Sequence, residues 1–150
     1  MKNIFNEADK NEILQRVEKL TPQSQPLWGT MTVSQMLAHF AEATRIPVGE
    51  LKPKRVSFPL NIFGLLIKSA VLGPNPFRHN TPTAPETKIT TDKDFEKEKA
   101  NYIKAVNKLY NGGGQIITAT HHHVLGKLTP NEWGRMVFKH ADHHLSQFGV

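Results

Sequence analysis

The stretch FKHADHHLSQFGV, residues 138–150, carries His140, His143 and His144 in what otherwise reads as an apolar helix. On a helical wheel Trp133, Val137, His140 and His144 follow one another at spacings of four, three and four, and so share one face. Side chains four residues apart stack on that face, and a His–x3–His pair can turn two ring nitrogens toward one point. Two imidazoles rarely complete a metal site. His39, in SQMLAHFAEA (residues 34–43), lies in a row with Met36, Ala43 and Ile46 and is a third imidazole on an apolar helical face. Three neutral nitrogen ligands from two helices would hold a divalent ion, with Zn or Ni best suited, and leave one coordination position open, as catalytic zinc sites do. A lone histidine on an apolar face is more often a hydrogen-bonded core residue. The i,i+4 pairing, matched by an inward histidine elsewhere, favours the metal.

Other polar groups gather near these three in the sequence. His143 lies about 60° from His140 on the wheel and could also reach inward. THHHV (residues 120–124) adds His121, His122 and His123, of which His122 and His123 are candidates to support the ligands, move a proton or touch a substrate. Gln35, one turn before His39, Glu42, three residues after it, and Gln147, three after His144, are candidates of the same kind. No residue is assigned as the catalytic acid, base or nucleophile.

Four long helices are expected to position these groups, over residues 6–19, 32–46, 92–110 and 130–147, with a shorter one over 61–72. The first has Ile13, Val17 and Leu20 on one face and stops before Pro22; the second stops at Pro47. TVSQ, TDKD and TPNE place Thr32, Thr91 and Thr129 as N-caps, three residues before a Gln or an acid. Pro130 suits the first helical position, and NGGG (residues 111–114) stops the third long helix. Residues 73–91 carry four prolines and read as a surface loop; residues 115–128 are β-branched in part but show no strand partner. Long loops in a small domain are often functional. The pattern implies one all-α domain over residues 1–150, a helical bundle with long inter-helix loops and a short extra helix.

Composition narrows the function. At 38% hydrophobic and 21% charged, 150 residues can bury a core, so disorder is not expected. The absence of cysteine excludes disulfides, thiolate ligands and a cysteine nucleophile, and fits the cytoplasm. No signal peptide is expected at the start, and the apolar run at residues 60–72 is shorter than the ~20 residues a bilayer needs, so no membrane partner is expected. The formal charge of +6 raises the prior for anionic partners, but the only tight basic cluster is KPKR (residues 52–55), with no aromatic interleaving, so nucleic acid is not the expected partner.

The stretches WGTMTVSQMLAHFAEA (28–43), HHVLGKLTPNEWGRMVFKHADHHLSQFG (122–149) and, more loosely, TPTAPETKITTDKDFEKEKANYIKAV (81–106) resemble the DinB/YfiT-like superfamily of metal-dependent proteins. Within it they resemble a bacterial branch described only as a domain of unknown function. The resemblance implies an up-down-down-up four-helix bundle. It implies a metal triad of one histidine on the second helix and a His–x3–His pair on the last, which fall on His39, His140 and His144. Several members of the superfamily are thiol transferases or a thiol-dependent isomerase. That branch often has His-Pro before its FG, where this chain has His122 and His123 followed by VLG.

The expectation is therefore a metal-dependent enzyme, a thiol S-transferase-like enzyme or a hydrolase. Its metal would activate a low-molecular-weight thiol or water against a small-molecule substrate. A homodimer is compatible with this. The alternative is a non-catalytic metal- or ligand-binding protein, or a stress-related nucleic-acid binder.

Overall fold

The computed structural model describes residues 1–55, 60–81 and 83–150. Five helices dominate: α1 (Glu7–Glu18), α2 (Val33–Ala43), α3 (Leu60–Leu72), α4 (Phe95–Gly112) and α5 (Pro130–Gln147). Single 3-10 turns occupy Pro85–Thr87 and Gly113–Ile116. The molecule is mostly helical, as its patterning implies.

The ends of the helices follow local chemistry. Thr32 accepts from the backbone N–H of Gln35 (3.2 Å), and the Gln35 side chain accepts in return from Thr32 (3.0 Å). Thr129 and Glu132 repeat that reciprocal cap at 3.2 and 2.8 Å, with Pro130 at the first helical position. The third expected cap is corrected: Asp94, not Thr91, accepts from the backbone N–H of Lys97 (2.8 Å), so α4 starts at Phe95. A carboxylate in TDKD outcompetes the hydroxyl because it is charged at the positive end of the helix. α2 stops at Ala43 rather than reaching Ile46. The Thr44 hydroxyl donates back to the Ala41 carbonyl (2.7 Å), and the chain tightens into turns around Pro47 before Gly49 at φ +76°.

α2 packs along α4, α1 lies against α4 and α5, and α2 also meets α5. Between them sit Ile13 and Val17 of α1, Met36, Leu37 and Phe40 of α2, Tyr102, Val106 and Leu109 of α4, and Val137, Ala141 and Leu145 of α5. Full burial of each large apolar side chain contributes roughly 1.5–3 kcal/mol. That is the scale of the term that offsets the cost of placing imidazoles beside them. A second apolar cluster, Ile46, Leu72, Leu125, Leu128, Trp133 and Met136, ties α3 and the following loops to the first half of α5. The apolar run at residues 60–72 also reads as a buried or pocket-covering helix, but the side chains of residues 60–63, 65 and 66 lie outside the described residues. Among the described residues no helix is long and apolar enough to cross a membrane.

The loop at residues 115–128 does have a strand partner: itself. β1 (His121–His122) pairs antiparallel with β2 (Gly126–Lys127), in register His121 with Lys127 and His122 with Gly126. Gly126 takes φ +72°, a conformation that disfavours any side chain there. α3 closes over the hairpin at Gly64, where a Cβ would stand 1.8 Å from the carbonyl oxygen of Val124.

Candidate metal centre

α2 delivers His39, and α5 delivers His140 and His144, to one point. His39 Nε2 and His144 Nε2 each lie 3.0 Å from His140 Nε2, and the three atoms all lie within 4.8 Å of one another. His39 and His144 are buried, and His140 is partly buried. The rings stand nearly edge to face, at 90° for His39 with His140 and 68° for His140 with His144.

The outer nitrogens decide which tautomers are present. His39 Nδ1 faces the carbonyl oxygen of Thr87 at 2.8 Å; a carbonyl only accepts, so Nδ1 carries the proton. Gln147 donates its amide N–H to the carbonyl of Trp28 (2.7 Å), which turns its own amide oxygen toward His144 Nδ1 (3.0 Å). That nitrogen is therefore also protonated. His39 and His144 thus point bare Nε2 lone pairs at the same spot, where His140 can offer a hydrogen to at most one of them.

Converging lone pairs need a cation. Protons are a poor candidate. Burial, followed by the neighbouring His144, His39, His143 and His122, holds His140 well below the usual histidine range. Burial, followed by His39, pushes His144 down to about 3 against the opposing Gln147 hydrogen bond. Burial also lowers His39, against the opposing Thr87 bond. The three rings are neutral near pH 7, the form that ligates metals. Two nitrogens bound at ~2.1 Å to one tetrahedral ion stand about 3.4 Å apart, so the two 3.0 Å spacings to His140 would open by a few tenths of an ångström. The donor set fits a divalent ion, and its outer hydrogen bonds are those that orient metal-binding histidines.

Of the other sequence candidates, Gln147 is at the centre, as the residue that orients His144. Gln35 completes the cap of α2, with a long contact (3.4 Å) to the Thr91 carbonyl, and does not reach the ligands. Glu42 faces Arg45 on the surface (2.8 Å). His143 is not one of the three converging ligands: its ring stands edge to face with His144 at 5.2 Å and joins an aromatic group, 5.8 Å from both Trp28 and Phe77 and 6.1 Å from His79 between ring centres. His79 itself stacks on Trp28 at 3.8 Å. His122 accepts from the backbone N–H groups of Val124 (3.1 Å) and Leu125 (3.2 Å) and stacks on His123 at 4.3 Å. His123 has a buried Nδ1 with no partner among the described residues, and His121 is exposed beside Thr120. Thr87, Trp28 and His79 were not legible as site residues: each arrives from a distant loop, and no local spacing marks it.

Two clefts among the described residues lie elsewhere. The larger, about 500 Å³, runs between α2 and α4, and its Arg45, Lys93, Lys97, Lys104 and Lys108 alternate with Glu42, Glu50, Glu86 and Glu98. Arg45 pairs with Glu42 (2.8 Å) and lies 3.7 Å from Glu50.

The fold and this centre define a class: a mostly helical domain in which two helices bring together three histidines able to hold a metal ion. The chain belongs to the family described as protein of unknown function (DUF1569), whose family model matches residues 5–149. Comparison with curated proteins found no match. Comparison with solved structures found none either.

Proposed function

We propose that this DUF1569 protein is a metal-dependent enzyme of the DinB/YfiT-like kind, built on an up-down-down-up bundle of α1, α2, α4 and α5. Its ligands are His39, His140 and His144. The reaction is transfer of a small thiol to an electrophilic compound, with metal-assisted hydrolysis as its variant. The observation that supports the reading best is the fixed tautomerism. Thr87 and Gln147 hold the protons of His39 and His144 on the outer nitrogens, so that bare Nε2 atoms face inward. A bound divalent ion would supply Lewis acidity and favour the ionised form of a thiol or water at its open position.

The chain's own residues hold and orient. Gln147 links His144 to the Trp28 carbonyl, and Thr87 fixes His39 from the loop between α3 and α4. Lacking cysteine, the chain would use an external thiol rather than one of its own. The alternating signs along the α2–α4 cleft lend no support to a nucleic-acid surface.

Metal analysis of protein purified without a His-tag is expected to give about one Zn or Ni per chain after reconstitution. A His39→Ala, His140→Ala, His144→Ala triple variant is expected to give none, and near-stoichiometric binding in that variant would sink the assignment. A screen of small thiols with electrophiles, with and without metal, then tests the reaction.

A further inference from the structure

Beside the histidine centre lies a group of rings that the metal reading leaves without a task. His143 stands edge to face with the ligand His144 at 5.2 Å between ring centres. Its other neighbours are Trp28 and Phe77, each at 5.8 Å, and His79 at 6.1 Å. Trp28 is tied to the same end of α5 from a second direction. Its carbonyl takes the Gln147 amide that orients His144, and the preceding N–H, of Leu27, donates to the Gln147 main-chain carbonyl (2.7 Å). The indole therefore stands one ring away from a metal ligand, on a backbone pinned by the residue that sets that ligand's tautomer.

One face of this indole is covered by His79, parallel to within 7° at 3.8 Å. That cover is weakly held. His79 is exposed, on the loop after α3, and Asn80 behind it turns the chain at φ +55°. The contacts described for its ring, the stack on Trp28 and the tilt against His143, are both ring to ring. Trp28 Nε1, meanwhile, is buried with no partner among the described residues. A buried donor left unpaired costs about 1–3 kcal/mol. The stacked arrangement carries that cost, and a guest that lifts His79 away and brings an acceptor or water to the indole edge relieves it.

We propose, resting on the metal reading above, that the Trp28 face is the stacking platform for the planar, electron-poor part of the electrophilic substrate, which takes the place of His79. An indole presents a π face rich in electrons, so its best stacking partner is a conjugated system depleted of them. Depletion of the same kind is what makes a compound an electrophile. A guest seated there has His143 at its flank, as His79 does now, and His143 is the ring that meets His144. The imidazole of His79 is the chain's own stand-in for that guest.

The probe is meta-dinitrobenzene, a planar electron-poor ring with no leaving group to react. Equilibrium dialysis against untagged protein, metal-free and Zn-loaded, is expected to show saturable binding in both. In nitrogen–proton NMR spectra of Trp133→Phe, whose one indole signal is that of Trp28, that signal is expected to move in step with binding. His79→Ala, which removes an exposed competitor, is expected to bind the probe about two- to tenfold more tightly. Trp28→Leu is expected to bind it about tenfold or more weakly, with Zn per chain as in the parent; should Trp28→Leu not fold, His79→Ala decides. The equally flat but electron-rich meta-dimethoxybenzene is expected to bind the parent several-fold more weakly than the dinitro compound. No saturation in the parent, an unmoved Trp28 signal, equal affinity in a folded Trp28→Leu, unchanged or weaker binding in His79→Ala, or equal affinity for the two probes overturns the proposal while leaving the Zn site standing. Failure of the parent to take up Zn strikes the metal reading instead, and dialysis of the metal-free protein then decides the platform by itself.

Discussion

The molecule has two histidine clusters, and they are held by different means. His39, His140 and His144 stand on helices, and a loop carbonyl and a side-chain amide take the Nδ1 protons of His39 and His144. His122 and His123 stand on a two-residue hairpin, where the backbone itself donates to His122 Nδ1. The same side chain is thereby made a lone-pair donor in one place and a hydrogen donor in the other. Position along the chain does not determine what a histidine does here; the partner of its outer nitrogen does.

Acid should produce the largest effect, and it acts on both clusters. His144 and His122 are pushed down to about 3, and His39 and His140 are also lowered, in each case chiefly by burial. In the unfolded chain these groups titrate near 6.5. Below that pH the unfolded state binds more protons than the native one, so the stability contributed by each neutral ring is full above about 6.5 and is lost as pH falls toward that ring's lowered value, about 3 for His144 and His122. Chemical denaturation of the metal-free protein between pH 6 and 4.5 is expected to lose about 1.4 kcal/mol per pH unit for each of His144 and His122, with His39 and His140 adding in the same direction. A flat profile would mean that the clusters are open to water.

A smaller effect separates the clusters. Gln147→Ala removes the acceptor that fixes His144 and leaves the hairpin untouched. Metal affinity is expected to fall by roughly 10–100-fold, measured by competition with a chelating dye, while the NMR tautomer of His122 stays as it was. The smallest effect falls on the hairpin side. Gly64→Ala gains up to ~1 kcal/mol of helix propensity, but its Cβ meets the Val124 carbonyl, a backbone atom that cannot swing aside. Overpacking of this kind costs about 1–3 kcal/mol. The expected outcome is a net loss of up to about 2 kcal/mol in denaturant unfolding, with metal binding retained. Loss of metal binding in this variant would show that the two clusters are one mechanical unit.

The same contrast explains what could be read from the sequence. The triad was legible because helical geometry fixes which residues share a face: His140 and His144 follow Trp133 and Val137, and His39 sits among Met36, Ala43 and Ile46. The reciprocal caps at Thr32 and Thr129 were legible because they are local. Competition between neighbouring caps was not, and Asp94 displaced Thr91. The hairpin was missed because two residue pairs are too few to make an alternating pattern. Thr87 was missed because a main-chain carbonyl carries no sequence signature, and it reaches His39 across 48 positions of chain. His143 shows the limit of the wheel: sixty degrees of rotation is enough to take it out of the triad and set it among Trp28, Phe77 and His79.

The chain's two tryptophans pack against different imidazoles: Trp28 against His79 and His143, with its carbonyl tied to Gln147, and Trp133 against His122. Indole emission responds to the charge and contact of neighbouring imidazoles. The protein therefore carries one native fluorophore beside each cluster, and occupancy on the Gln147 side can be followed by light separately from events at the hairpin once either indole is replaced by Phe.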